Sequence, residues 1–375
     1  RARIVIEKNT DERGRLSDRG FTEVMDIYDG IALSSRDQKD ESLQSLVKVR
    51  KANAYARHGD WEKALATYLD AWRGSKKDSD VHTYARVEAV RLMMSTCRRL
   101  RQDNRYDRIV DIYTAYKDSF VKELADGSTQ FVMGEALYRA GRIEEARKML
   151  ELSTRSGSAY NEQAFPLLFA IDYRQERFQE ALLWNTIYLS TYPGGSDTPR
   201  MRHFRGAVLH RLGSLEAAIP FLEETSSADN PFALESLRIL AEIHHAMGNT
   251  VQEQRTLDRI ISFHPARVSP VVEKALSLRA DRLRQEGDLV RARDLYRALL
   301  DTYPRSMYAH WSMYSLAHID RDLGDLQEAR ELLTRVKNAS RDPVIVNAAR
   351  VALDDLELEM QIRKYDATRG AQVRN

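Results

Sequence analysis

Small and large apolar residues hold fixed places around a short polar hinge that recurs along this chain. The hinge reads Gly59-Asp60-Trp61-Glu62-Lys63-Ala64, and again from Gly141, Gly213, Gly287 and Gly324, each time ending in Ala. Weaker copies begin at Asn104, Glu176 and Gly248. Successive hinges lie 45, 37, 35, 37, 35, 39 and 37 residues apart. Seven residues before the hinge stands a small residue: Ala52, Cys97, Gly134, Gly206, Ala241, Ala280 and Ala317, with Phe169 departing. Five after it come Ala64, Ala146, Ala181, Ala218, Ala292 and Ala329, with Ile109 and Glu253 departing. Nine after it stand large residues, among them Tyr68, Tyr113, Leu150, Leu222, Leu257, Tyr296 and Leu333. Positions four apart share a helix face. Each period therefore predicts two antiparallel helices, brought close by small side chains. A fixed period of this length marks a helical solenoid.

The repeats span residues 42–342 and predict an all-α, right-handed superhelical solenoid of about eight helix-turn-helix units. Residues 343–365 predict a capping helix with a polar outer face, since terminal repeats need one. Residues 366–375 are expected to be disordered. Residues 1–41 are expected to hold an unpaired strand at Ile4-Val5-Ile6 and the second helix of an incomplete repeat over 20–35. The polar segment Gly74–Asp80 is expected to loop out and to account for the first, longest spacing. The chain begins at Arg1, so a segment removed upstream is expected: a signal peptide, an anchor or another domain.

The pattern resembles the tetratricopeptide repeat. Ala52, Tyr55, Gly59, Asp60, Trp61, Ala64, Tyr68 and Ala71 carry the resemblance most fully, and Pro193, Pro265 and Pro304 fall where that family ends its second helix. Helix ends at Thr191-Tyr192-Pro193, Phe263-His264-Pro265 and Thr302-Tyr303-Pro304 are similar to repeats of two bacterial envelope proteins. These are the lipoprotein of the outer-membrane β-barrel assembly machine and the periplasmic accessory protein of the Tol-Pal system. An ordinary helix stop gives the same Tyr-Pro, because proline disfavours helix in the residue before it.

The family resemblance implies that the first helix of each repeat lines a concave groove. Its exposed positions would lie 13, 10, 6, 3 and 2 residues before the hinge. Those positions give Asn53, Arg57, Arg91, Arg98, Arg101, Phe131, Tyr138, Arg139, Tyr173, Arg174, Arg200, His203, His210 and Arg211, with Trp311 and Tyr314 further on. Only Glu135 is acidic in the first five repeats, whereas later ones mix Glu235, Glu242, Asp281 and Asp322 with Arg238, Lys274, Arg284 and Arg321. A groove of one sign focuses its field and attracts the opposite charge. The same arginines could instead pair with acids on facing helices. Asn53 and Arg57 resemble the carboxylate-clamp variety of the family, though Val49 departs from it.

Composition narrows the functional classes. Apolar residues make up 43% of the chain, enough for a continuous core. The net charge of +2 argues against a nucleic-acid coat. One cysteine, Cys97, excludes an internal disulfide framework. No phosphate loop, zinc motif or nucleophile elbow occurs, so no cofactor, metal or catalytic residue is expected. His318-Ile319-Asp320-Arg321-Asp322 superficially matches a kinase loop but falls inside a helix. Adjacent His244 and His245 point about 100° apart on a helix and cannot chelate one ion together. The expectation is a non-enzymatic scaffold binding a protein or peptide, acidic in character, within the periplasm or envelope of a Gram-negative bacterium. Export of an anionic polysaccharide, a nucleic-acid or regulatory module, and a cytoplasmic location stay open as alternatives.

Overall fold

The computed structural model describes residues 1–37, 40–122, 124–227, 229–263 and 268–374, with side chains as far as Tyr365. It falls into two compact units, Arg1–Gly195 and Ser196–Asn375. All the regular structure among the described residues is helical. The first unit holds α1 (Ala2–Asn9), α2 (Asp18–Asp37), α3 (Glu41–His58), α4 (Trp61–Gly74), α5 (Asp80–Gln102), α6 (Tyr106–Tyr116), α7 (Gly127–Arg139), α8 (Ile143–Arg155), α9 (Asn161–Arg174) and α10 (Phe178–Thr191). The second holds α11 (Thr198–Arg211), α12 (Leu215–Glu224), α13 (Ala233–Ala246), α14 (Thr250–Ile261), α15 (Pro270–Glu286), α16 (Leu289–Thr302), α17 (Ala309–Asp322), α18 (Leu326–Ala339) and α19 (Pro343–Arg374). Each unit is a solenoid-type stack: odd and even helices pair as antiparallel hairpins, and each hairpin packs on the next.

The hinge works through one backbone device. All eight hinge residues adopt the left-handed conformation, the six glycines and also Asn104 (φ 56°) and Glu176 (φ 57°). The residue after the hinge donates its N–H five residues back, as in Asp60 to Tyr55 (3.0 Å), Arg177 to Asp172 (2.9 Å) and Asp325 to Asp320 (2.7 Å). This closes the helix end and turns the chain sharply. Glycine suits the conformation because it has no Cβ to clash.

Small residues then admit the partner helix. A Cβ on Gly134 would lie 2.8 Å from Leu150 Cγ, and one on Gly206 would lie 2.5 Å from Leu222 Cγ. The residue seven before the hinge thus meets the residue nine after it, in the first unit and in the second.

Three expectations are overturned. Ile4-Val5-Ile6 is no strand but part of α1, which packs Val5 and Ile6 against Val24 and Tyr28. Burial on α2 outweighs the strand preference of its β-branched residues. An Asx turn joins the two helices, the Arg13 and Arg15 N–H groups donating to Asp11 Oδ1 at 3.0 and 2.7 Å. Residues 75–79 do form a loop, but it is not what lengthens the first spacing: the extra residues go into an extended α5 of 23 residues. Helix α19 continues through Arg374, with Asn375 outside the described residues. Tyr192 and Tyr303 end α10 and α16 in nearly the same non-helical geometry before their prolines. His264 and Pro265 lie outside the described residues.

Candidate functional site

In the first unit the face made by α1, α3 and α5 encloses an open cavity of about 780 Å³. Asn53 and Arg57 of α3 reach it together with Arg91 of α5. Sequence reasoning missed Arg50, Tyr28, Tyr84 and the α1 pair Arg3 and Glu7, which also line it. Misreading α1 as a strand hid the last two. Both acids of the lining are already engaged: Glu7 accepts from Arg3 and Glu88 from Arg91, at 2.8 and 2.6 Å. Among the described residues Arg50 and Arg57 make no ion pair, so the cavity keeps an excess of positive charge. The Tyr68 hydroxyl donates to Asn53 Oδ1, which leaves the Asn53 amide N–H groups to donate elsewhere. Burial pushes the Tyr28 phenol up from its ordinary value, with Arg50 and Arg57 opposing the shift. Burial does the same to Tyr68, so both stay protonated donors at neutral pH.

Further along this unit the arginines are largely spoken for. Arg101 donates to Glu135 at 2.7 Å and to Gln163 at 3.2 Å, and lies over the rings of Phe131 and Tyr160. Arg139 donates to the same Glu135 at 3.0 Å and covers Tyr106. Arg98 pairs with Asp126 at 3.6 Å, and Arg174 lies over Tyr138. Tyr173 stacks on Phe169.

Two expected groove residues are not exposed. Phe131 is buried, stacked on Tyr160, and His203 is buried, stacked on Phe232 with Nδ1 2.8 Å from Ser236 Oγ. Both stand ten residues before their hinge, where one first helix meets the next. Burial lowers the His203 pKa and also that of half-buried His210, so both stay neutral near pH 7. Arg200 pairs with Asp197 at 3.0 Å, Arg211 is exposed, and exposed Trp311 meets Tyr314 edge-on. The second unit has a cavity of its own, about 550 Å³, with an apolar wall of Ala241, Leu257, Ile260, Val271, Leu278 and Met307.

A tetratricopeptide-repeat model matches residues 277–343, and another of the same description matches 127–151. The chain is similar in structure to the C-terminal part of a TPR repeat-containing protein from Cytophaga hutchinsonii, at TM-score 0.50 and 12% identity over 68% of this chain and 98% of that one. The chain is a tetratricopeptide-repeat protein. Weaker likenesses are a tetratricopeptide repeat protein from Parabacteroides merdae (TM-score 0.40, 16% identity, 66% of this chain and 92% of that one) and Pseudomonas aeruginosa pilF (TM-score 0.41, 15%, 60% and 97%). No curated protein matches the sequence. Among the described residues no helix of this tetratricopeptide-repeat chain is long and apolar enough to cross a membrane.

Two repeats bury an aspartate four residues before the hinge. In the first unit Asp172 is fully buried and accepts from Arg147 (2.9 Å), Arg177 (2.8 Å) and Trp184 Nε1 (2.8 Å). In the second unit Asp320, equally buried, has Arg293 Nε at 2.8 Å, poorly aligned for a hydrogen bond. Asp325 and Glu328 crowd it, and burial pushes its carboxyl pKa up. These three acids are the one cluster of metal-ligand type among the described residues, and Arg293 already supplies its cation. His318 to Asp322, the kinase-like string, lies within α17, where only Asp320 belongs to this cluster: His318 meets Tyr314 edge-on and Arg321 pairs with Glu359.

Proposed function

We propose that this tetratricopeptide-repeat chain is a protein-binding scaffold whose first unit receives an acidic peptide segment in the cavity between α1, α3 and α5. One observation carries the reading: Arg50 and Arg57 face that cavity while its two acids are consumed by Arg3 and Arg91. Asn53 adds a directed amide donor, and the arginine forks suit bidentate contact with carboxylates. The acidic-ligand reading therefore contracts from the whole arginine-rich face to this cavity, since Glu135 and Asp126 satisfy Arg98, Arg101 and Arg139 internally.

The test is fluorescence anisotropy with labelled glutamate-rich and glutamine-rich peptides of equal length. Preferential binding of the acidic peptide, weakened at least tenfold by Arg50→Glu with Arg57→Glu and unchanged by Arg174→Glu, supports the cavity. Equal binding of both peptides, or an unaffected double variant, rejects it.

A further inference from the structure

The cavity beside α1, α3 and α5 holds a polar group that no neighbour satisfies. Tyr28 of α2 lines it and is only 9% exposed, its ring packed in a cluster with Val5, Val24 and Val47. Among the described residues its hydroxyl has no hydrogen-bond partner. Buried polar groups are seldom left so. The Tyr68 hydroxyl, by contrast, is committed to Asn53 Oδ1. Arg50 and Arg57 both act on the Tyr28 phenol electrostatically, so it lies close to both. With Asn53 these two arginines fall at intervals of three and four on one face of α3. Four arginines line the cavity against two glutamates, and Arg3 and Arg91 take both acids. The surplus is two positive charges, set beside a free phenol and the Asn53 amide.

We propose that the acidic group taken here is a phosphomonoester, the phosphorylated serine or threonine of a partner peptide; this rests on the peptide-binding reading above and narrows it. A phosphomonoester brings about two negative charges at pH 7 and three acceptor oxygens. A carboxylate brings one charge and two oxygens. The phosphate therefore matches both the surplus charge and the number of donors. Arginine forks grip its oxygens in pairs, and the Asn53 amide and Tyr28 hydroxyl donate to what remains. A pair of glutamates carries the same charge, but two flexible side chains must then be ordered instead of one. The cavity, at about 780 Å³, is many times larger than a phosphate, so flanking peptide residues fit against Ile6, Ala54 and Leu92.

Fluorescence anisotropy on the whole chain tests the proposal with labelled glycine–alanine peptides that differ only at the centre: phosphoserine, one glutamate, a glutamate pair, or serine. The phosphoserine peptide is expected to bind at least tenfold tighter than the single glutamate and about fivefold tighter than the pair. Tyr28→Phe keeps the ring in its apolar cluster and removes only the hydroxyl. It is expected to weaken the phosphoserine peptide about tenfold and the glutamate peptides less than twofold, with circular dichroism unchanged. A glutamate pair that binds as tightly as phosphoserine overturns the phosphate assignment and leaves the acidic-peptide reading standing. So does phosphoserine binding indifferent to Tyr28→Phe. Inorganic phosphate that displaces the phosphopeptide at equal concentration overturns it as well, because free phosphate is then the ligand. If no acidic peptide binds more tightly than the serine peptide, both readings fall.

Discussion

Asp172 and Asp320 occupy the same place in two repeats, and their surroundings make them opposites. Each faces an arginine six residues after the preceding hinge, Arg147 or Arg293. They differ one residue past their own hinge, where the first has Arg177 and the second has Asp325. Four residues past the hinge both have a glutamate, Glu180 and Glu328, but it is Glu328 that pairs with the arginine facing the aspartate, Arg293. A buried carboxylate with three donors ties two hairpins together. The same carboxylate with one poorly aligned donor and two acidic neighbours stores repulsion. A repeat frame thus fixes where a charge sits, and single neighbours decide its sign of effect.

The comparison can be broken most forcefully at Asp172. Replacing it with Leu strands Arg147 and Arg177 and is expected to cost about 3 kcal/mol, read from urea unfolding, in line with other broken buried pairs. The matching Asp320→Leu change is expected to cost less than half as much, since Arg293 keeps Asp325 and Glu328. Equal losses would show that the neighbours do not matter. Converting the second site toward the first is the next largest effect. Asp325→Arg places a cation where Arg177 stands and is expected to add about 1.5 kcal/mol, the low end for a hydrogen bond to a charged group.

Acid sharpens the contrast further. Because burial raises the Asp320 pKa above its unfolded value, its burden is fullest near neutral pH and lightens as pH falls through the raised pKa. Stability measured as pH falls through that raised pKa is expected to show a favourable contribution that Asp320→Asn removes. The smallest effect concerns the hinge beside Arg177. Glu176→Gly relieves a left-handed non-glycine residue and is expected to gain about 0.5 kcal/mol. Gly213→Ala is expected to lose at least that much.

The hairpins were legible because one spacing rule links the hinge to its close-packed partners, so even Asn104 and Glu176 could be placed without a glycine. The first helix was not legible. Ile4-Val5-Ile6 reads as strand until α2 is there to pack on it. Exposure along the first helices was only partly legible, because the position ten before the hinge does not face solvent: it is buried or half-buried in all eight repeats, from Val49 to Tyr314. Phe131 and His203 are buried there by the start of the next first helix, where Tyr160 and Phe232 stack on them. The Asp172 and Asp320 anchors were hidden for a different reason. Their arginines come from the preceding repeat, 25 and 27 residues away, although the fixed offsets from two hinges would have revealed both.

The left-handed hinge also bears on how the chain assembles in time. It closes the end of each first helix with bonds between residues no more than five apart, and within each unit a hairpin packs chiefly on the one before it. Such short-range wiring favours rapid folding. A chain emerging from the ribosome could lay down one hairpin after another, each new pair finding its platform already built.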